Sequence, residues 1–198
     1  QPEDPELWVG LAGLYRSLGD AGKAAESLDR AAKAGPESPN VWMRRAIWLE
    51  EQGDYAGAAD AYRRLAALLP DDPTANNNLA YCLLLAGGDC HEAMEMAKKA
   101  HEKLPSNMSV VHTLGLAQLR CGELDESERN LRMALEMRPG DPTLLLDYGQ
   151  LLIAKNQPEE GKHQIELALR YAAQLTSPFA RRAEAERILA GTAENPAP

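Results

Sequence analysis

Aromatic residues are scarce in this chain: there is one Phe, and Phe, Trp and Tyr together make up 5% of 198 residues. With 44% hydrophobic residues a core is still available, but it must be made mainly of Ala and Leu. No apolar run approaches the length needed to span a bilayer; "LAALL" at 65–69 is typical of the longest, so no membrane span is expected. Basic charge is also in deficit. With 21 Lys and Arg against 30 Asp and Glu, the net charge of −9 repels phosphate backbones, and nucleic acid is not an expected partner. Glycines and prolines are spaced rather than clustered, so no low-complexity linker interrupts the chain.

Chemistry-bearing motifs are missing too. Of the four histidines, His91 and His101 open "HEAME" and "HEKLP", neither of which completes the H-E-x-x-H spacing that puts two imidazoles on one metal. His91 and His101 are expected on solvent-facing parts of their helices. There is no glycine-rich phosphate loop and no G-x-S-x-G elbow; "LAGGDC" at 85–90 reads as a turn. No nucleophile, base and orienting group can be brought together from the sequence, so the reading is a non-enzyme with no metal and no cofactor. The three cysteines, Cys82, Cys90 and Cys121, are too few and too irregular for a disulfide framework. Cys82 reads as a small packing residue. Cys90 and Cys121 lie in turns that could stack, and two free thiols are the expectation. No secretory signal precedes Gln1 and no initiator Met is present, which reads as a processed product or an excised segment; compartment is left open.

What the chain does have is a period. Trp8 and Trp42 are 34 residues apart, as are Ala24 and Ala58, Leu28 and Tyr62, and Pro36 and Pro70. Gly19-Asp20 returns as Gly53-Asp54, and the turn Pro70 to Pro73 returns at Pro139 to Pro142. Each unit reads as two short helices. The first starts near Glu6, carries Trp8, Leu11, Ala12 and Tyr15 at helical spacing, and stops at Gly19. The second carries Ala24, Leu28 and Ala31 on one face and ends at Gly35-Pro36, because proline offers no N–H and clashes with the preceding turn.

These spaced residues together resemble the tetratricopeptide repeat, a 34-residue helix-turn-helix. The resemblance covers five units, 5–38, 39–72, 73–107, 108–141 and 142–175, within an array spanning 1–175. It implies an all-α, right-handed α-solenoid of antiparallel helix pairs. Departures are visible. Arg45 and Asn76 stand where Leu-like and Trp residues are usual, "AGGDCHEA" carries one inserted residue, and Gly161 takes a position that is usually Ala. Residues 176–190 read as a capping helix started by Thr176 or Ser177, with Phe179, Ala183 and Ile188 covering the last repeat and Arg181, Arg182, Glu184 and Glu186 facing water. The tail 191–198 is expected to be disordered. Pro2 and Asp4-Pro5 reproduce a junction between repeats, which suggests further sequence upstream.

The resemblance also implies a concave groove lined by first helices. Its expected lining is Met43, Arg44 and Ile47; Asn77, Asn78, Tyr81 and Leu84; His112, Thr113, Leu116 and Arg120; and Asp147 and Gln150. The stretch "NNN" at 76–78 is unusual at a helix start, since Asn competes with the backbone for hydrogen bonds. Asp72 as cap and Pro73 at the first helical position make nucleation independent of it. Carboxamides at Asn77 and Asn78 can donate and accept at once, which suits the peptide groups of an extended ligand, whereas Asn76 lies toward the helix interface and needs a local partner. A clamp for a terminal carboxylate is not expected, because Ser109 and Thr113 stand where cations are needed.

The expected function is therefore a protein-protein interaction scaffold that binds a peptide segment of a partner in its groove, within a bacterial assembly or secretion system. The alternatives are a regulatory or targeting domain of a larger enzyme-containing chain, and a scaffold that self-assembles as a homo-oligomer through its open N-terminal repeat.

Overall fold

The structure, a computed structural model, describes residues 4–176 and 178–191. The expectations for Pro2, for Ser177 as a cap and for a disordered 192–198 fall outside these. The described residues form eleven helices and no strand: α1 Pro5–Ser17, α2 Ala21–Ala34, α3 Pro39–Glu51, α4 Tyr55–Leu68, α5 Pro73–Leu85, α6 Cys90–Lys103, α7 Met108–Arg120, α8 Leu124–Met137, α9 Pro142–Ala154, α10 Pro158–Ala172 and α11 Arg182–Leu189. No helix among them is long and apolar enough to cross a membrane.

Five of the odd-numbered helices begin alike. Asp4, Ser38, Asp72, Asn107 and Asp141 each turn a side-chain oxygen onto a free backbone N–H of the first turn, as Asp72 does to Ala75 at 2.7 Å. Pro5, Pro39, Pro73 and Pro142 follow at the first helical position, where no N–H is missed. Each such cap contributes about 1 kcal/mol. Three-residue turns reverse the chain after α1, α3, α7 and α9, which makes each of these helices an antiparallel neighbour of the one that follows it. Gly53, at φ 76°, makes one of them in the left-handed region. Asn156, at φ 63°, makes the corresponding turn between α9 and α10, and Asn tolerates that backbone better than other side chains.

The helices fall into two compact units, residues 1–89 with α1–α5 and residues 90–198 with α6–α11. The division lies at the turn with the inserted residue, inside the expected unit 73–107 rather than at its edge. In unit 1 the core is Ala-rich and closed by a few large side chains, Tyr62, Leu65, Leu79 and Val41, each nearly or fully buried. A fully buried Leu or Val adds roughly 1.5–3 kcal/mol. Arg45, at a usually apolar position, is ion-paired with Asp29 of α2.

In unit 2, Val111, Ala134 and Leu144 form one cluster, and Leu145, Leu146, Ile165 and Ala168 form another. Helices α9 and α10 of this unit approach more closely than Ala allows. A Cβ on Gly149 would lie 2.7 Å from the Gly161 carbonyl oxygen, and one on Gly161 would lie 2.6 Å from that of Gly149. Unit 1 carries Ala12 with Ala24 and Ala46 with Ala58 at the matching positions.

Helix α11 is shorter than the expected 176–190, because Pro178 and Phe179 precede it as irregular chain. It packs Ala185 onto the second cluster, joined by Phe179, Ile188 and Leu189. Ala183 is exposed rather than covering the last repeat, while Arg182 and Glu186 do face water. Arg181 does not: it is 8% exposed and ion-paired, and Glu184 is half-buried beside it.

Candidate functional site

In unit 1 the three asparagines have three different surroundings. Asn76 is buried and donates from Nδ2 to the Pro70 carbonyl at 2.9 Å. Trp42, 34 residues earlier, donates from Nε1 to the Pro36 carbonyl at 2.7 Å. Asn76 thus keeps the one polar bond of the Trp it replaces, holding the helix start to the preceding proline turn. That is a structural role.

Asn77 and Asn78 belong to a directed hydrogen-bond chain. The Glu50 carboxylate accepts from the Tyr62 hydroxyl at 2.6 Å. With its O–H directed at Glu50, the Tyr62 oxygen accepts from Asn78 Nδ2 at 3.2 Å. Asn78 must then turn its carbonyl toward Asn77, whose Nδ2 donates to it at 3.3 Å. Because the carboxylate can only accept, every link is oriented by the one before, including the two amides whose ends would otherwise be interchangeable. The chain ends at Asn77 Oδ1, which is buried and has no partner among the described residues. A buried acceptor without a donor costs roughly 1–3 kcal/mol. Burial, with Glu50 next, pushes the Tyr62 hydroxyl well above its ordinary pKa, and it pushes the buried Cys82 thiol up as well.

Of the other lining residues expected in this unit, Met43, Ile47 and Tyr81 are half-buried and Arg44 is exposed. Leu84, expected on the groove wall, is 5% exposed and belongs to the core. Asn77 itself is 8% exposed, so its carboxamide lies recessed rather than on an open wall.

In unit 2 the expected lining residues are turned to one another. His112 Nε2 lies 2.7 Å from Asp147 Oδ2, and Arg181 Nη1 lies 2.7 Å from Asp147 Oδ1. A carboxylate offers no proton, so the His112 tautomer carries its hydrogen on Nε2. Arg181 also binds Glu184 through Nε at 2.7 Å, and Gln150 Nε2 donates to Glu184 Oε1 at 2.6 Å. Arg120 stands 4.0 Å from the same oxygen. Burial raises the pKa of the fully enclosed Asp147, but the Arg181 guanidinium and the His112 bond outweigh it and hold the carboxyl at about 2. Glu184 is lowered in the same way: Arg181 and Gln150 overcome its burial.

The expectation that His112, Thr113, Leu116 and Asp147 stand on an accessible wall is corrected here. All four are buried; Thr113 is back-bonded to Ser109 of its own helix at 2.9 Å, and Leu116 is wholly enclosed. Gln150 and Arg120 remain half-buried. The reason is lateral. Asp147 follows His112 by 35 residues, Arg181 follows Asp147 by 34, and Glu184 follows Gln150 by 34, so neighbouring elements face each other through these side chains. The 34-residue spacing to Arg181 and Glu184 was present in the sequence, and it was the missed signal.

The thiols are a second correction. Cys90, at the start of α6, is disulfide-bonded to Cys121, at the end of α7, with Cα atoms 5.6 Å apart. Antiparallel packing brings the N-terminus of one helix beside the C-terminus of the other, a proximity that 31 residues of intervening sequence conceal. His91 is exposed, as expected, and its Nδ1 is 3.8 Å from Cys121 Sγ. Cys82 is free and buried.

Two overlapping stretches, residues 5–48 and 39–82, match the sequence profile of the tetratricopeptide repeat. Residues 5–82 thus carry the tetratricopeptide repeat pattern. Solved structures of the same fold extend the likeness beyond those stretches. MamA from Desulfovibrio magneticus RS-1, residues 41 to the end, is 16% identical with a TM-score of 0.69, over 89% of this chain and 99% of that one. PilW, described as a widely conserved type IV pilus biogenesis factor, is 18% identical with a TM-score of 0.70, over 96% of this chain and 87% of its own. YrrB, described as a tetratricopeptide protein with an unusual peptide-binding site, is 16% identical with a TM-score of 0.65, over 86% and 88%. No curated protein matches the chain.

Proposed function

We propose that this tetratricopeptide repeat chain is a non-catalytic scaffold for a partner protein, and that it takes an extended segment of that partner at α3 and α5 of unit 1. The observation that carries this reading is Asn77 Oδ1, a buried acceptor left without a donor at the end of the chain from Glu50. A backbone N–H of a ligand supplies the missing donor, and a small rotation of the Asn77 side chain brings the oxygen to it. Met43, Ile47 and Tyr81 offer apolar contact to the ligand's side chains, and Arg44 offers one exposed cation. In unit 2 the matching positions already have intramolecular partners, so we assign the first contact to unit 1. YrrB, with its peptide-binding site, and PilW, a pilus biogenesis factor, share the fold, which is consistent with a place in a bacterial multiprotein assembly.

The test is capture from native extract with the wild-type chain and with Asn77→Ala/Tyr81→Ala. A partner retained by the former and lost by the latter supports the site, and the bound segment is then resynthesised with single backbone N-methyl groups. One methyl position should abolish binding. Equal capture by both chains, or no sensitive N–H, removes Asn77 from the site.

A second reading, self-association through α1, is favoured by Leu7 and Leu14 of that helix and Leu18 at its C-cap, which are 59%, 54% and 69% exposed. Val41 and Ala75, 34 and 68 residues after Leu7, are wholly buried in the same unit. Light scattering on dilution, with Leu14→Gln as comparison, decides it: a mass that falls on dilution and is monomeric in the variant supports it.

A further inference from the structure

The start of α6 and the end of α7 gather three metal-ligating groups. Cys90 Sγ, Cys121 Sγ and a ring nitrogen of His91 all lie within 4.8 Å of one another. The two cysteines are half-buried and His91 is exposed, so the cluster sits at the surface of unit 2 with its scaffold behind it. That scaffold is firm: Ala93, Met94 and Ala97 of α6 and Val110, Leu114 and Ala117 of α7 are all buried.

We propose that, when the Cys90–Cys121 bond is reduced, Cys90, His91 and Cys121 form a three-donor site for a borderline or soft metal ion of the zinc class, so that disulfide and metal are mutually exclusive occupants of one site. The donor set selects the metal. Thiolate and imidazole favour Zn²⁺ or Cu⁺, whereas Mg²⁺ and Ca²⁺ require oxygen ligands. The spacing suits it. Tetrahedral zinc, with Zn–S near 2.3 Å and Zn–N near 2.0–2.1 Å, holds a sulfur and a nitrogen about 3.6 Å apart, and Cys121 Sγ and His91 Nδ1 are 3.8 Å apart. The fourth position is left to water.

The steps balance. A dithiol or phosphine reductant supplies two electrons, and with two protons the disulfide becomes two thiols while the reductant is oxidised. A divalent ion then displaces both thiol protons and binds two thiolates and the neutral imidazole. Loss of two electrons to an oxidant re-forms the S–S bond and releases the ion. Only the dithiol state binds metal.

The whole chain, reduced with a phosphine that leaves metals free, is titrated with Co²⁺ under anaerobic conditions, with helicity followed by circular dichroism. Expected are one Co²⁺ per chain, a thiolate-to-cobalt charge-transfer band, tetrahedral d–d bands, release of two protons and displacement by Zn²⁺. Oxidised protein shows none of these. Cys82→Ala binds like the wild type. Cys121→Ser loses the band, and His91→Ala weakens binding by at least the roughly tenfold to hundredfold that loss of an outer-shell partner causes. If reduction lowers helicity, Zn²⁺ should restore it. The proposal is overturned by a reduced chain that takes up no cobalt, by His91→Ala or Cys121→Ser binding as tightly as the wild type, or by helicity that Zn²⁺ fails to restore.

Discussion

The polar side chains of unit 1 and unit 2 occupy related positions in the repeat and do opposite things. In unit 1 the path from Glu50 through Tyr62, Asn78 and Asn77 is held by one carboxylate and three neutral groups, and it ends on an oxygen with no donor. In unit 2 the path from His112 through Asp147 and Arg181 to Glu184 is ionic, and its central carboxylate is shielded from water. A neutral path with an open end costs less to leave unfinished than a buried unpaired charge does, and we read its end as available to a ligand. An ionic path in low dielectric must be closed on itself, because a buried charge without a partner is costly. The backbone interiors differ as well: Ala faces Ala in unit 1, and Gly149 faces Gly161 in unit 2.

The largest effect should come from breaking the ionic path. Asp147→Ala leaves Arg181 and His112 without their shared partner, and removing one member of such a buried pair costs about 3–5 kcal/mol. Urea unfolding gives the total, and hydrogen exchange should place the loss in α7, α9 and the segment around α11. A loss of under about 1 kcal/mol would put Asp147 on a par with an exposed ion pair and end the contrast between the units.

Acid should reveal the same difference. The Asp147 carboxyl is depressed in the folded state, so its contribution is complete above the unfolded carboxylate value near 3.8 and is lost as pH falls through about 2. Hydrogen exchange across that window should show unit 2 losing on the order of 2 kcal/mol of protection, and Asp147→Asn should flatten the curve. A flat curve in the wild type contradicts the ionic account.

Gly161→Ala inserts the residue that unit 1 carries at this position, yet here it meets the Gly149 carbonyl, and overpacking of this kind costs about 1–3 kcal/mol. Thermal unfolding measures it. The reverse exchange in unit 1, Ala58→Gly, should cost less, about 1 kcal/mol from helix propensity.

Smallest is the neutral path. Asn78→Ala removes two long, modest bonds and should cost about 1 kcal/mol in unfolding experiments, and Asn77→Ala should cost nothing or stabilise slightly, since it deletes the unsatisfied acceptor. A large loss at Asn77 would mean that its oxygen has a partner and would remove the reason to assign a ligand there.

The fold class was legible because it rests on local signals that recur. Asp72-Pro73 and Asp141-Pro142 announce helix starts by capping chemistry, Gly53 announces a turn by its backbone freedom, and the 34-residue spacing of Trp8 and Trp42 makes the signals one pattern. The site was less legible. Met43, Ile47 and Tyr81 stay partly open, while Leu84, Thr113 and Leu116 are buried, because a residue's repeat position does not reveal how closely the next element packs on it. Arg181 looked like a solvated charge on a short amphipathic helix, and only the depth of Asp147 makes it a buried partner.

By itself, then, the order of residues determined that the chain up to residue 175 is a series of paired short helices and where most of them start and stop, since capping, helical period and turn chemistry act over a few residues. Three-dimensional packing alone decided that Cys121 meets Cys90 and His91, that Asp147 is enclosed by His112 and Arg181, and that Asn77 is left with an unused oxygen. Those outcomes depend on distances of a few ångströms between atoms remote along the chain, and such distances follow from how closely side chains let the helices approach.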